Sequence, residues 1–332
     1  MSSFWPSNQN KIQLEMLIYD FLFEHSLSLD GYPTILSQLS MENKEYNSIN
    51  IHDGKVNSMP SLQSEIEEAD LRFPMHALES ARAGHKKCVV ISNDTDVIVA
   101  LLFHYNIFHQ EGLEELWVKA GIGNSTRFIP LHILHQKLGP SLSKVLPAVH
   151  SLTGSDITSK VGTKKAALKA DPAKYLQGFG TTAVMHDSIT KEAEKYLVNV
   201  VDSRCKEENF NQLRAYIFHH SKGSSLQNLP PTSQGLLPHI QRAHFNTYTI
   251  THILDRQLGI TFKILDPLDN GFINENGCLV PKKGCKVLEK RWDVVCGCGK
   301  CARQACPCRT QKVKCSKFCK CRLSKGCKNP YK

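Results

Sequence analysis

The chain has 332 residues, of which 41% are apolar, and a formal net charge of +10. Length and composition of this kind suit one large core or two ordinary ones, so we expect a folded globular protein. No apolar run approaches the length of a membrane span, and the opening MSSFWPSNQNK lacks the basic-then-apolar order of a signal peptide. We therefore expect an intracellular protein without a membrane segment.

Charge and cysteine are unevenly distributed. Nine of the thirteen cysteines lie between 296 and 327, and residues 296–332 contain eleven Lys or Arg but no Asp or Glu. That segment carries +11, which leaves the rest of the chain near −1. Dense cysteines in a reducing compartment indicate metal binding rather than disulfides.

The first 63 residues are predicted to be helical and irregular. Ile12, Met16, Tyr19 and Phe23 recur at helical spacing, so residues 10–25 are predicted to form an amphipathic helix. Beyond it we expect irregular structure, with one short hairpin that turns at Asp53-Gly54.

From Ser64 onward, helix and strand patterns alternate. Ser64 and Glu67 form a capping box that opens a helix through about Ala83. The apolar run at 88–91 is typical of a strand buried on both faces of a parallel sheet. This order predicts an α/β fold. The following predicted elements are a helix at 97–105, a strand at 115–120, and helices at 131–138 and 141–152.

Two acids follow the predicted strand at 88–91. Asp94 and Asp96 lie beyond its carboxyl end, where ligands bind in open α/β sheets. If the chain is still extended there, both carboxylates point the same way and can bind one Mg²⁺ or Mn²⁺. The alternative is that Asp94 caps the next helix.

A second acidic cluster precedes the strand, in the sequence IEEADLR at 66–72. On a regular helix Glu68 and Asp70 diverge by roughly 200°, so they can share a metal only where the first turn is irregular. The alternative is an ordinary acidic first turn in which Glu68 pairs with Arg72.

A third candidate lies in LTGSDITSKVGTKKAALKAD, residues 152–171. Asp156 follows a Gly-Ser turn, and Gly162, Lys164 and Lys165 open a helix whose free N–H groups and lysines suit a phosphate. The alternative is a solvated basic helix start with Asp156 as a cap.

In this order the motifs resemble the internal part of the XPG/flap-endonuclease family, structure-specific nucleases of the PIN-like superfamily, over residues 64–185. The resemblance implies a pair of divalent ions that cleave a phosphodiester. The family's early strand-end Asp has no counterpart in this chain, and its Gly-x-Gly hairpin loop is reduced to Gly162. The resemblance therefore fits either an active enzyme or a nuclease fold that has lost catalysis. The residues to which it assigns metal binding are Glu68, Asp70, Asp94, Asp96 and Asp156.

Residues 186–291 are predicted to be a helical extension and linker. Helical patterns cover 191–205 and 210–220, a Ser/Pro/Gly-rich loop covers 221–235, and residues 265–284 suggest a loose linker. No function is predicted for this region.

The C-terminal cysteines have the spacing C-x-C-x2-C-x4-C-x-C-x6-C-x3-C-x-C-x5-C. Zinc takes four tetrahedral ligands, so nine thiolates suffice for three ions if three of them bridge. Two separate four-thiolate sites with one spare cysteine are the alternative. The candidate ligands are Cys296, Cys298, Cys301, Cys306, Cys308, Cys315, Cys319, Cys321 and Cys327.

This spacing, which ends in CKNP, resembles the tesmin-type CXC domain, a zinc-cluster module that binds DNA. Three zincs on nine thiolates would carry −3, so about +8 would remain for phosphate contacts. The candidate contacts are Lys300, Arg303, Arg309, Lys312, Lys314, Lys317, Lys320 and Arg322.

Together these patterns predict an α/β protein with a parallel-sheet PIN/XPG-like domain at 64–185, a helical extension at 186–291 and a zinc-cluster domain at 292–332. We expect a nuclear, zinc-dependent DNA-binding protein whose nuclease-like domain lacks a complete metal site. The alternative is an active Mg²⁺- or Mn²⁺-dependent endonuclease.

Overall fold

The computed structural model describes residues 8–25, 33–40, 46–63, 68–220, 229–261, 263–284, 294, 296–302, 305–315, 319–321 and 326–331. These residues form two compact units, Met1–Lys137 with His252–Phe262 and Leu138–Thr251 with Lys263–Lys332. Among the described helices, none combines the length and apolar character that crossing a bilayer requires. The predicted capping box at Ser64 and Glu67 lies outside the described residues.

The first unit begins with a helix and a three-stranded sheet. Helix α1 (Asn8–Glu24) precedes an antiparallel meander of β1 (Thr34–Ser40), β2 (Tyr46–His52) and β3 (Lys55–Ser58). Asp53 and Gly54 both have positive φ, 48° and 70°, as a two-residue hairpin turn requires. The predicted hairpin is confirmed, whereas strand β1 was not predicted.

Helix α1 is confirmed, but its predicted apolar face is covered only at Tyr19. Tyr19 and Leu22 pack against the small core of β2, whereas Ile12, Met16 and Phe23 are exposed. Apolar residues occupy every side of this helix, so their spacing alone does not select the face that is covered.

The remainder of the first unit is a mixed α/β layer. Its elements are α2 (Phe73–Arg82), β4 (Lys87–Ile91), α3 (Thr95–Gln110), β5 (Glu115–Ala120) and β6 (Arg127–Pro130). Strands β4 and β5 are parallel, and β6 returns antiparallel to β5 because the short loop between them cannot hold a crossover. The α/β order is therefore confirmed, but the sheet is mixed. The core includes Met75, Leu78, Leu101, Phe108 and Leu116.

The prediction that β4 is buried on both faces is wrong. Val90 is 6% exposed, whereas Val89 and Ile91 are 54% and 70% exposed. Among the described elements, α2 contacts both β4 and α3. Within this unit the helices therefore cover one face of the strand and leave Val89 and Ile91 on the other.

The second unit is mainly helical. Helix α4 (Leu131–Thr153), whose second part belongs to this unit, is interrupted at Gly139 (φ 73°) just before Pro140, as the two predicted helices require. Helices α5 (Lys164–Lys169), α6 (Pro172–Tyr175), α7 (Asp187–Val201), α8 (Phe210–His220) and α9 (Ser233–His252) follow. Their common core includes Leu152, Phe179, Tyr196, Leu197 and Phe210.

Residues 265–284, predicted to be a loose linker, contain a hairpin instead. Strands β7 (Phe272–Glu275) and β8 (Cys278–Pro281) pair around an Asn276-Gly277 turn with φ of 53° and 85°. Asn-Gly is a strong hairpin signal, so the correction was readable in the sequence. The buried Arg242 guanidinium donates to the Ile157 and Gly271 carbonyls, at 3.0 and 2.9 Å, and so joins this segment to α9.

Candidate metal centre

The C-terminal segment has a core made of sulfur. Eight of its nine cysteines are buried and Cys298 is half-buried. The apolar side chains that pack with them are Val294 and Val313. Among the described residues of this segment, two apolar side chains add little to such a core, so its stability depends on the sulfur atoms and on what they bind.

The sulfur atoms gather in three overlapping groups. One group holds Cys296, Cys308, Cys315 and Cys319; a second holds Cys296, Cys301, Cys315 and Cys321; the third holds Cys296, Cys298 and Cys306. Within each group all sulfur atoms lie within 4.8 Å of one another. Cys296 belongs to all three groups and Cys315 to two, as expected of bridging ligands.

Individual sulfur distances match a tetrahedral thiolate site. With zinc–sulfur bonds of about 2.3 Å, the edge of the tetrahedron is about 3.8 Å. Cys301–Cys315 and Cys308–Cys319 are both 3.7 Å apart, and Cys315–Cys327 is 3.8 Å. Cys296–Cys301 is shorter, at 3.3 Å. No disulfide joins any of the described cysteines. The cysteine cluster is therefore compatible with bound zinc.

Backbone contacts bring the two halves of the cluster together. Lys320 N donates to Cys296 O at 3.0 Å, and Lys328 N donates to Lys300 O at 2.8 Å. Short helix α10 (Pro307–Thr310) follows directly on Cys306, its N-cap residue. These contacts place ligands from distant sequence positions side by side.

Burial makes most of these thiols reluctant to ionise without a metal. It raises the pKa of Cys296 to about 12 and that of Cys315 to about 11. Burial, followed by the neighbouring thiols, also raises the pKa of Cys301. The pKa of Cys327 is instead lowered, chiefly because the Asn329 backbone N–H bonds to its sulfur. A metal ion would thus displace protons from several of these sulfurs as it binds.

The predicted DNA-contacting cations differ in their availability. Lys300, Lys312, Lys314 and Lys320 are exposed, as is Lys328, which was not predicted. The Arg309 guanidinium is half-buried and donates to the Ala302 and Cys301 carbonyls, so it braces the loop around the cluster. Arg303, Lys317 and Arg322 lie outside the described residues.

In the first unit, the acids that follow β4 begin a helix. Asp94 is the N-cap of α3, and its Oδ1 accepts a 2.7 Å bond from Asp96 N. The helix begins at Thr95, so the extended geometry that would align Asp94 with Asp96 ends before Asp96. Asn93, which sequence reasoning missed, fixes the same edge of the sheet, because its Oδ1 accepts from Gly121 N at 2.6 Å.

The other two acids of the first unit lie before α2. Glu68 is exposed and has extended backbone, and Asp70 is half-buried in the 3-10 turn Ala69–Arg72. The chain there is thus an irregular turn, as a shared metal site for these two acids requires. Arg72 is buried and donates to Leu62 O at 3.1 Å.

In the second unit, the predicted phosphate-binding residues have local partners. Asp156 is exposed in a turn closed by the Ser155–Thr158 bridge. Gly162 has φ of 65°, and a Cβ there would meet Val200 Cγ1 at 2.6 Å, so glycine is required for packing. Lys164 and Lys165 are both exposed, and Lys164 Nζ lies 3.1 Å from Thr153 Oγ1 and 3.2 Å from Gly154 O.

Within the described part of the chain, the groups of three or more close metal-ligand atoms consist of cysteines alone. The catalytic assignment of the five acids therefore stays a prediction. Sequence reasoning also missed Asn329, which is buried against the sulfur atoms and carries no metal-binding signal of its own. Comparisons with protein-family models, curated proteins and solved structures find no match to this chain.

Proposed function

We propose that the chain is a zinc-dependent DNA-binding protein in which a CXC-type cluster grips the phosphate backbone. The observation that carries this proposal is the convergence of the cysteines into groups of tetrahedral size inside a segment without acidic residues. Thiolates in such groups repel one another unless cations lie between them. Zinc, with its preference for four sulfur ligands, is the cation that best suits this donor set.

The overlap of the three sulfur groups supports three bound ions, one for each group. Eight cysteines supply the three groups, and the ninth, Cys327, lies 3.8 Å from the shared Cys315. Sharing of Cys296 and Cys315 favours a connected cluster over two isolated sites. Three ions are therefore the proposed content.

DNA is the proposed partner because the cysteine segment would keep a positive charge after it binds zinc. Three zincs on nine thiolates leave the segment at about +8, and its exposed lysines stand around a sulfur core that cannot itself contact water freely. Contacts of this type bind phosphates without reading sequence. Residence in the nucleus follows as part of the same proposal.

The test compares two cysteine substitutions in the full chain. Cys315→Ser removes a shared ligand, and Cys278→Ser changes an exposed thiol outside the cluster. Zinc content is measured by mass spectrometry and binding to duplex DNA by fluorescence anisotropy. We expect Cys315→Ser to lose zinc and at least about tenfold in DNA affinity, and Cys278→Ser to match wild type. A wild-type chain without zinc, or equal DNA affinity in all three proteins, refutes the proposal.

The α/β layer of the first unit supports a second candidate function, a divalent-metal endonuclease related to the XPG/PIN-like nucleases. Asp94 and Asp96 follow the carboxyl end of β4, which pairs in parallel with β5. We place this function second because the acids expected early in such a chain are lacking. Flap, hairpin and duplex DNA with Mg²⁺ or Mn²⁺ are the test substrates. Cleavage that both Asp94→Ala and Asp96→Ala abolish would establish this function.

A further inference from the structure

Asn329 is a polar side chain enclosed by the sulfur cluster, with 1% of its surface exposed. Its Nδ2 lies 3.2 Å from Cys315 Sγ and 2.9 Å from the Val313 carbonyl oxygen. Its Oδ1 accepts from Tyr331 N at 3.2 Å. A buried amide with this set of contacts is held in one position.

The backbone partners fix which end of the amide faces the sulfur. The Val313 carbonyl can only accept a hydrogen bond, so it must face the NH₂ group. The Tyr331 N–H can only donate, so it must face the amide oxygen. Nδ2 therefore points a donor at Cys315.

The sulfur that receives this donor belongs to two sulfur groups and lies 3.8 Å from the sulfur of Cys327. Hydrogen bonds to ionised sulfur are charge-assisted, and residues that orient metal ligands commonly contribute strongly to metal affinity.

We propose that Asn329 is a positioning residue of the zinc cluster, whose side-chain amide holds the Cys315 sulfur between two ions and offsets the excess negative charge of the thiolates. This role rests on the proposed function, because it requires the cluster to hold zinc. It also explains why a polar side chain lies among sulfur atoms, where an unpaired amide would be costly.

Two substitutions of similar size test this role in the full-length chain. Asn329→Leu removes the donor and the acceptor. Asn329→Asp keeps an acceptor for Tyr331 N but places a carboxylate against the sulfur. Competition with a chromogenic chelator should show zinc affinity lowered roughly 10- to 100-fold in both, more in Asn329→Asp. Gln311→Ala, an exposed uncharged residue of the same segment, is the matched control and should retain wild-type zinc affinity.

The cobalt-substituted proteins separate positioning from simple packing. Loss of an N–H···S bond raises the energy of the sulfur lone pair, so the sulfur-to-cobalt charge-transfer band should move to longer wavelength in both Asn329 variants. A packing role would lower occupancy without moving the band. Unchanged affinity, or an unmoved band, overturns the role of Asn329 while leaving the zinc cluster intact. A wild-type chain that takes up no metal overturns both proposals.

Discussion

The sulfur atoms of Cys301 and Cys315 lie 3.7 Å apart, although fourteen positions separate the two residues in sequence. This distance is too long for a disulfide and matches the edge of a tetrahedral thiolate site. Cys301 also has φ of 49°, a left-handed conformation that a side chain other than glycine adopts at a cost. Such a conformation persists only where the surroundings impose it. Shared metal ions would impose it here.

Metal removal should therefore unfold the C-terminal segment and spare the helical core. Because sulfur supplies most of the buried core among the described residues of the segment, the free energy of binding zinc there would also be its folding free energy. Hydrogen-exchange mass spectrometry after chelation should show lost protection at 305–315 and retained protection in α7 and α9. Full protection of 305–315 in metal-free protein would contradict this prediction.

Native mass spectrometry of untreated protein should count three ions rather than two.

In the cysteine segment, lysine substitutions should weaken DNA binding, whereas substitution of Arg309 should weaken zinc binding. Replacement of Lys300 and Lys328 by Gln should weaken DNA binding and lower the slope of log affinity against log salt by about 1 per lysine. Arg309→Gln should change that slope little but loosen zinc, because its guanidinium bonds to the Ala302 carbonyl. Fluorescence anisotropy across a salt series measures the slopes.

The matched control for these variants is Lys206→Gln, which removes an exposed lysine of the second unit outside the cysteine cluster. It should leave DNA affinity and salt slope unchanged. If Lys206→Gln lowers the slope as much as Lys300→Gln does, DNA contact is not confined to the cysteine segment.

Local signals predicted most helices, strands β4 and β5 and the Asp53-Gly54 hairpin. The patterns did not predict which face of a strand or helix is buried. The run 88–91 is apolar throughout, yet Ile91 is 70% exposed, because covering a strand depends on distant elements that no local pattern records. The same limit applies to α1.

The sequence predicts which cysteines form the cluster, but it does not predict how their sulfur atoms are grouped. Cysteine spacing alone indicates a thiolate cluster, since few other functions require nine thiols in so short a basic segment. The sharing of Cys296 and the direction of Asn329 depend on how the chain folds back. The DNA contact of Arg309 stays a prediction, and the bonds of its guanidinium to the Ala302 and Cys301 carbonyls could not be read from its charge.

His239 should make the second unit sensitive to acid. Burial, with a smaller contribution from the positive charge of Arg242, lowers the pKa of His239 below its usual 6.5. The ring lies 3.0 Å from the Leu152 carbonyl, to which its neutral Nε2–H donates. Because the folded-state pKa is lowered, the stabilisation is complete above the unfolded value and is lost as pH falls through the folded value.

The measurement is amide protection of α9 at neutral pH and at about pH 5. His239→Gln keeps a donor near the Leu152 carbonyl and cannot ionise, so its protection should fall less on acidification than that of wild type. His186→Gln, an exposed histidine of the same unit, should behave as wild type. Equal acid sensitivity in all three proteins would exclude His239 as the cause.

Asp94 should act first as a helix cap, whether or not it also binds metal. Its Oδ1 satisfies Asp96 N, so Asp94→Ala should cost about 1 kcal/mol of stability of the first unit. Asn caps helices as well as Asp does, so Asp94→Asn should cost little while removing the charge. Asp96→Ala leaves the cap in place and should stay within about 0.5 kcal/mol of wild type.

Thermal unfolding with and without Mn²⁺ then separates the capping role of Asp94 from a metal-binding role, because a metal bound by these acids would stabilise wild type selectively. For a cap alone, Mn²⁺ should shift all four proteins equally; a shift confined to wild type would show that the two carboxylates hold a cation.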